Sequence, residues 1–233
     1  MQTVVNVDRV ERGARIGKIG TFVGLGFLLA GLIISIAFPM SSLVWASFAC
    51  LIVGLVIASI GTANMNRWVK EPRADQALTQ GLKGFDDRYR MYHYVLPAPH
   101  VLLGPVGLYV LTAMGHDGVI RYDGTRFRRS FSVARMMRFM AEEGLGKPFA
   151  ESDAQVAALR KFLDENNAGQ DVDIENLVVF YSPKAELILD DPAVPVTTPK
   201  GMKKQLRKQR GRELKGKQYD ELMALFEAAA AAE

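Results

Sequence analysis

The sequence has little cysteine and little histidine, and this limits the chemistry that it can support. Its 233 residues include one cysteine, Cys50, and three histidines. A single cysteine excludes a disulfide framework and a cysteine-based metal site. His93, His100 and His116 are irregularly spaced, so surface or hydrogen-bonded histidines at strand ends are a simpler interpretation than a metal cluster. The sequence therefore predicts no metal and no cofactor.

Acidic and basic residues are absent from two long apolar runs near the N-terminus, at 19–40 and 41–66. About 20 apolar residues in a helix cross the hydrocarbon core of a bilayer, which is about 30 Å thick. Pro39 and the serines after it mark a break between the runs, because proline does not continue a helix and serine suits a helix cap. The runs therefore predict two antiparallel membrane helices, over 19–40 and 43–63.

Basic residues flank this hairpin on both sides. They are Arg9, Arg12, Arg15 and Lys18 before it, and Arg67, Lys70 and Arg73 after it. Because Lys and Arg are enriched on the cytoplasmic side of membrane helices, we expect a multi-pass protein of the inner (cytoplasmic) membrane with both termini in the cytoplasm. A cleaved signal peptide is the alternative, but its apolar region would be too long and a second run follows at once.

Neither run contains a charged residue, which argues against a proton relay, an ion pathway or a transporter core. Glycines are frequent in both runs, at positions 24, 26 and 31 and again at 54 and 61. Small residues let helix backbones approach closely in lipid, so the two helices should pack on each other or on another membrane protein. The hairpin is therefore predicted to be an anchor or an assembly element.

Four segments follow from these patterns: a cytoplasmic N-terminal segment at 1–18, the hairpin at 19–66, a cytoplasmic α/β domain at 67–199, and a basic helix with an alanine-rich tail at 200–233. The roughly 165 residues after the hairpin suffice for one domain with its own core. Their apolar patterns predict strands at 89–96, 100–104, 107–114, 118–122, 177–182 and 185–189, and helices within 71–85, 133–143 and 151–166. Asp123-Gly124 predicts a hairpin between 119–122 and 126–131.

The turn Gly104-Pro105-x-Gly107 lies between two apolar strands, "HVLLG" and "GLYVLTAM". With the helix and strand before it and the hairpin after it, this order resembles the nuclease-related domain (NERD) family over about 73–209. The resemblance implies a restriction-endonuclease-like mixed sheet flanked by helices. It also implies a site in which Asp and Glu carboxylates hold Mg²⁺ and a lysine stabilises charge during phosphodiester hydrolysis.

This chain departs from the family at each of those site positions. His100, Thr112 and Met114 stand where the resemblance places Asp, Glu and Lys, and Asp75 is the residual carboxylate near the family's helix Glu. Mg²⁺ requires anionic oxygen ligands, which His100 and Thr112 do not supply, and Met114 carries no charge. The resemblance therefore implies a degenerate site with no catalytic residues.

Basic residues are concentrated after position 199, and a second group follows position 120. The first group includes Lys200, Lys203, Lys204, Arg207, Lys208 and Arg210; the second consists of Arg121, Arg126, Arg128, Arg129, Arg135 and Arg138. Such groups bind anionic lipid headgroups, acidic proteins or nucleic acid. Because aromatic residues that could stack on bases are scarce in 200–217, a membrane surface or a protein partner is favoured over nucleic acid.

Together these patterns predict a non-catalytic, membrane-anchored binding or scaffolding module in the cytoplasm, as an accessory subunit of a larger membrane complex. Membrane lipids and a protein in the membrane are the expected partners. The alternative is a membrane-tethered metal-dependent nuclease or nucleic-acid-binding protein, for which the fold resemblance and the basic groups argue.

Overall fold

The computed structural model describes residues 1–38, 42–129, 144–208, 214 and 216–232. The chain forms two compact units. The hairpin unit contains Val7–Arg73, and the globular unit contains Met1–Asn6 together with most of the chain from Ala74 onward. The helix predicted over 133–143 lies outside the described residues.

The hairpin unit consists of helices α1 (Val7–Ala37) and α2 (Val44–Trp68). Both predicted helices are present, and the break falls between them as expected. Helix α1 begins well before residue 19, so the basic flank containing Arg9 and Lys18 is helical as well. By length and composition both helices could cross a membrane, and few residues of their most apolar stretches are buried, 11% in α1 and 17% in α2.

The two helices contact each other through small residues and turn large apolar residues outward. The buried positions include Gly17, Gly24 and Gly31 in α1 and Ser47, Gly54 and Gly61 in α2. The outward side chains of Phe22 and Trp45 are 75% and 77% exposed. Close backbone approach through small residues is the usual packing of helices in lipid.

The globular unit combines strands and helices in one order along the chain. These are β1 (Gln2–Val5), α3 (Ala74–Gly81), β2 (Arg90–His93), β3 (His100–Gly104), β4 (Gly107–Met114), β5 (Gly118–Tyr122), β6 (Phe127–Arg129), α4 (Pro148–Glu165), β7 (Ile174–Phe180), β8 (Ala185–Leu189), β9 (Val196–Thr197), α5 (Met202–Lys208) and α6 (Gly216–Ala231). Each predicted strand has a counterpart, but the strand predicted over 89–96 is limited to Arg90–His93 and the one predicted over 177–182 is Ile174–Phe180. The hairpin at Asp123-Gly124 is present as β5 and β6, and positions 130–131 of its prediction lie outside the described residues. The sequence analysis did not predict strands β1 and β9.

A six-stranded mixed sheet forms the centre of this unit, in the order β1-β2-β3-β4-β7-β9. Strands β2, β3 and β4 form an antiparallel meander, whereas β1 lies parallel to β2, and β7 lies parallel to both β4 and β9. A smaller sheet has the order β6-β5-β8. The predicted α/β class with a mixed sheet is therefore confirmed.

Side chains alternate between the two faces along each strand, and the large sheet has apolar residues on both faces. Helices cover both of these faces. On one face, Tyr109 and Leu111 of β4 pack with Leu78 of α3 and Leu206 of α5. On the other face, Val110 packs in a core formed with helices α4 and α6; this core includes Leu108, Leu159, Leu163, Leu222 and Phe226. Each face thus has its own apolar core, and both cores include residues from the region after position 199.

The alanine-rich end of the chain is a helix that packs into the globular unit. Leu222 and Phe226 of α6 are completely buried, and the Phe226 ring lies edge-on to Tyr92 with centroids 5.3 Å apart. The Glu227 carboxylate accepts hydrogen bonds from Arg90 and from the Tyr92 hydroxyl. Helix α6 is therefore part of the folded unit rather than a frayed extension.

Candidate functional site

The Gly-Pro-x-Gly segment forms the tight turn between β3 and β4, with Gly104 paired to Gly107. A Cβ atom on Gly104 would lie 2.5 Å from ring atoms of Tyr89, so a larger residue would collide with that ring. Gly107 has a φ of +143°, a conformation that residues with a side chain rarely adopt. Gly107 is thus required by the conformation of the turn, and Gly104 leaves room for the Tyr89 ring.

His100 is paired across the sheet with His93, the last residue of β2. Both side chains are buried, and their Nδ1 atoms lie 2.8 Å apart. The Nε2 atom of His93 lies 2.9 Å from the hydroxyl of Thr79 on α3. The two imidazoles and the hydroxyl therefore form a continuous hydrogen-bonded chain between the sheet and helix α3.

This histidine pair is arranged for a hydrogen bond rather than for a shared metal ion. One Nδ1 must carry the hydrogen and the other must accept it, because two protonated nitrogens would repel at this distance. Two nitrogen ligands of a tetrahedral zinc ion lie about 3.4 Å apart, from Zn–N distances near 2.0–2.1 Å. The ring of Tyr94 packs edge-on against His100, with centroids 4.9 Å apart, and encloses the pair further.

Thr112 and Met114 lie on the opposite face of the sheet from His100. The Thr112 hydroxyl donates to Oε1 of Gln155 on α4 at 3.1 Å, and Met114 packs with Phe180 in the core beside the small sheet. Both residues are buried. The structure therefore does not bring His100, Thr112 and Met114 together into one site.

The residues of β4 that share the His100 face are Leu111 and Ala113, since the register pairs Val101 with Val110 and alternate residues point the same way. Both pack in the apolar core beside α3. Asp75 is buried in the first turn of α3, one turn before Thr79. Neither face of β4 therefore carries the carboxylate and the lysine of the family pattern. This holds for Thr112 and Met114 on one face and for Leu111 and Ala113 on the other.

The basic residues after position 199 surround a short helix whose other side is apolar. Met202 and Leu206 of α5 are buried, whereas Lys204, Arg207 and Lys208 are exposed, as is Lys200 just before the helix. Lys203 is partly buried and donates a hydrogen bond to the carbonyl of Lys83. Arg210 lies outside the described residues. Within the described residues, the predicted basic helix after position 199 comprises Met202–Lys208, and another helix begins at Gly216.

The second basic group lies partly on the hairpin of β5 and β6. Arg121 and Arg128 are directly opposite each other on its exposed face. Arg128 pairs with the Asp123 carboxylate at 3.0 Å, and Arg129 pairs with Asp117. Two of the four described arginines in this group are therefore neutralised locally. Arg135 and Arg138 lie outside the described residues.

Comparisons of the chain with protein-family models, with curated proteins and with solved structures give no match. Among the described residues, no group of three or more His, Cys, Asp or Glu side chains could hold a metal ion. Sequence reasoning identified His100 but missed its hydrogen bond to His93, its ring contact with Tyr94 and the bond from His93 to Thr79, because contacts between elements leave no local sequence signal. The resemblance to the nuclease-related domain therefore still depends on the turn and the order of elements.

Proposed function

We propose that this protein is a non-catalytic binding or scaffolding module anchored in a membrane by its helical hairpin, with the globular unit in the cytoplasm. The observation that carries this proposal is the outward apolar surface of α1 and α2. Exposed side chains there include Phe22, Ile36, Trp45 and Ile52, all more than 60% exposed. Contiguous apolar surface of this extent is unfavourable in water and favourable in lipid.

The connectivity of the chain supports a hairpin that enters and leaves on one side. Strand β1 precedes α1 and pairs with β2, which follows α2. Residues at both ends of the hairpin therefore belong to one folded unit, and a membrane cannot lie between them. The basic residues at both ends favour the cytoplasm as that side.

The architecture of the globular unit supports a restriction-endonuclease-like fold that has lost its site. A helix, an antiparallel meander, a second helix and a parallel strand produce a mixed sheet with helices on both faces. On the sheet face that carries His100, this histidine is hydrogen-bonded to His93, and the β4 residues Leu111 and Ala113 are apolar. Fold alone does not establish activity, so binding rather than hydrolysis is the function that these residues favour.

The exposed basic residues of α5 support a role at an anionic surface. Lys204, Arg207 and Lys208 project from a helix whose apolar side is fixed in the core. Each Lys or Arg near an anionic lipid surface contributes about 1 kcal/mol. We propose lipid headgroups as their first partner and an acidic subunit of a membrane complex as the second.

The test is the accessibility of single cysteines in intact cells, in a Cys50→Ser background. Ser42→Cys lies in the turn after the break, and Asp87→Cys lies on an exposed loop of the globular unit. We expect a membrane-impermeant maleimide to label Ser42→Cys in intact cells, and Asp87→Cys only after lysis. Labelling of Asp87→Cys in intact cells would reverse the orientation, and protection of both would argue against a hairpin that crosses the membrane.

A further inference from the structure

The small sheet has an open edge at strand β8. Among the described strands, β8 pairs with β5 alone, and it is the last strand in the order β6-β5-β8. The backbone N–H of Asp190 donates to the Tyr122 carbonyl of β5. Because backbone groups alternate in direction along a strand, those of Leu187 and Leu189 point away from β5. These outward N–H and C=O groups are the ones that another strand can bond.

The middle of this edge is apolar and unprotected. Ile188 is 48% exposed, and among the described residues beyond position 60 it is the one large apolar side chain that is exposed. Edge strands usually carry charged residues or proline along their length, which prevent pairing with another chain. In β8 and its flanks the charges lie mainly at the ends, at Lys184 and Asp190, and Glu186 is the one charge between them.

Those charges select one way in which β8 can pair with itself. In an antiparallel pair centred on Leu187, Lys184 of each copy lies opposite Asp190 of the other, and Glu186 lies opposite Ile188. Opposite charges directly across an antiparallel pair are favourable, and like charges are unfavourable. This register also sets the outward backbone groups of the two Leu187 residues against each other, as a hydrogen-bonded pair requires.

The two neighbouring registers are disfavoured by the same residues. Pairing centred on residue 186 places the two Glu186 carboxylates opposite each other. Pairing centred on residue 188 places Glu186 of each copy opposite Asp190 of the other. Of the three registers that keep most of β8 paired, only the one centred on Leu187 therefore sets opposite charges against each other.

We propose that β8 pairs with β8 of a second copy of this chain, as an antiparallel strand pair about a two-fold axis at Leu187. The two small sheets then form one continuous sheet of six strands, in the order β6-β5-β8-β8-β5-β6. A two-fold interface must be self-complementary, and the reciprocal pairs of Lys184 and Asp190 satisfy this requirement. Ile188 of each copy is covered by the strand of the other.

A short edge gives few hydrogen bonds, so this pair depends on a high local concentration. Two chains held in one bilayer have such a concentration, because anchoring converts their association into an encounter within a confined space. In this respect the inference rests on the proposed membrane anchor. Cross-links at positions 186 and 188 and the labelling of positions 42 and 87 are independent measurements, so failure of the strand pairing and failure of the anchor are distinguishable.

The experiment uses the full chain in phosphatidylcholine liposomes at a low protein-to-lipid ratio, in a Cys50→Ser background. Chains with Glu186→Cys are mixed before reconstitution with longer, tagged chains that carry Ile188→Cys, and copper phenanthroline catalyses disulfide formation. Directly opposite Cβ atoms of an antiparallel pair lie about 4.5–5.5 Å apart, and diagonal ones lie farther apart. Because a disulfide needs close Cβ atoms, we expect a mixed disulfide between positions 186 and 188, at a yield about fivefold above that of either same-residue disulfide.

Charge exchange tests the register independently of the cysteine positions. Asp190→Lys in both chains replaces two attractive pairs by two repulsive ones and should lower the yield of the mixed disulfide about fivefold. Adding Lys184→Asp to the same chains sets opposite charges against each other again and should restore the yield. Asp171→Lys makes the same change in charge at an exposed position before β7, away from the edge, and should leave the yield unchanged.

Four results would overturn the inference. A same-residue disulfide at Ile188→Cys that exceeds the mixed one would show a register centred on residue 188. Equal yields of all three disulfides would show random collision. Equal losses in Asp190→Lys and Asp171→Lys, without recovery in the charge-exchanged chain, would show that total charge sets the yield. Absence of every cross-link, in chains whose far-UV circular dichroism is unchanged, would show that β8 does not pair with a second copy and would assign its edge to a different protein.

Discussion

Replacing Gly61 with alanine should destabilise the hairpin, and the same change at Gly26 should not. A Cβ atom on Gly61 would lie 2.3 Å from the backbone nitrogen of Thr21 and 2.6 Å from the carbonyl carbon of Gly20. These are backbone atoms of α1, so no side-chain rotation can relieve the contact. At Gly26 a Cβ atom would meet nothing within 4 Å.

The expected size of the effect follows from these contacts. Ordinary van der Waals contact begins near 3.4 Å, so the helices would have to separate locally by roughly 1 Å, and overpacking of this kind costs about 1–3 kcal/mol. Alanine is a better helix former than glycine by about 0.5–1 kcal/mol, which offsets part of the cost at Gly61. At Gly26 only the gain remains, so the two variants should change stability in opposite directions.

Both variants are compared with the parent by unfolding the full chain in mixed micelles. Far-UV circular dichroism follows the loss of helix as the fraction of denaturing detergent rises, and the midpoint of the transition is measured. We expect a lower midpoint for Gly61→Ala and an equal or higher midpoint for Gly26→Ala. Equal midpoints for the two variants would contradict the close packing of α1 on α2 at this position. A drop confined to Gly26→Ala would place the helix contact on the other face of α1.

Two further predictions concern the globular unit. The hydrogen bonds from the Thr125 hydroxyl and from the Arg126 backbone N–H lower the pKa of the Asp123 carboxyl to about 2. The ionised Asp123 carboxylate therefore stabilises the folded state at pH values above its unfolded pKa near 3.9, and this stabilisation is lost as the pH falls through 2. Carboxyl ¹³C titration should show a higher pKa in Thr125→Ala and a retained low pKa in Thr125→Ser, and an unchanged pKa in Thr125→Ala would refute the assignment. The full chain should show no Mg²⁺- or Mn²⁺-dependent cleavage of DNA or RNA, because neither face of β4 offers the required carboxylate. Cleavage that depends on metal and disappears in Asp75→Ala would restore the nuclease alternative.

Local patterns predicted the elements that depend on short stretches of sequence. The break near Pro39, the strands on either side of the Gly104 turn and the hairpin at Asp123-Gly124 all have signals within a few residues. Strand β1 has no comparable signal. It is four residues long and lies at the edge of the sheet, and it forms because Gln2–Val5 pairs with Arg90–His93, far along the chain. From the sequence alone, residues 2–5 look like a short segment that leads into the hairpin.

Which side chains share a face with His100 depends on how the residues of β3 and β4 are paired, and the sequence alone does not determine this pairing. Because side chains alternate along a strand, a shift of one residue moves every side chain to the other face. Comparison with the family pattern selected Thr112 and Met114, whereas the hydrogen-bonded register aligns Leu111 and Ala113 with the face of His100. The pairing of His93 with His100 could not be predicted from the sequence either, because it depends on how the 94–99 connection positions two strands.

The position of β1 also determines how the globular unit can be studied in isolation. In sequence the hairpin is an insertion between β1 and α3, and the N-terminal residues return to the sheet beside β2. A fragment that begins at residue 67 would lack β1 and would expose the backbone edge of β2, which is a template for intermolecular pairing. Aggregation of such a fragment would then reflect the missing strand rather than an unstable domain. The appropriate soluble form retains residues 1–6 and replaces the hairpin with a flexible linker, so that the sheet keeps its native edge.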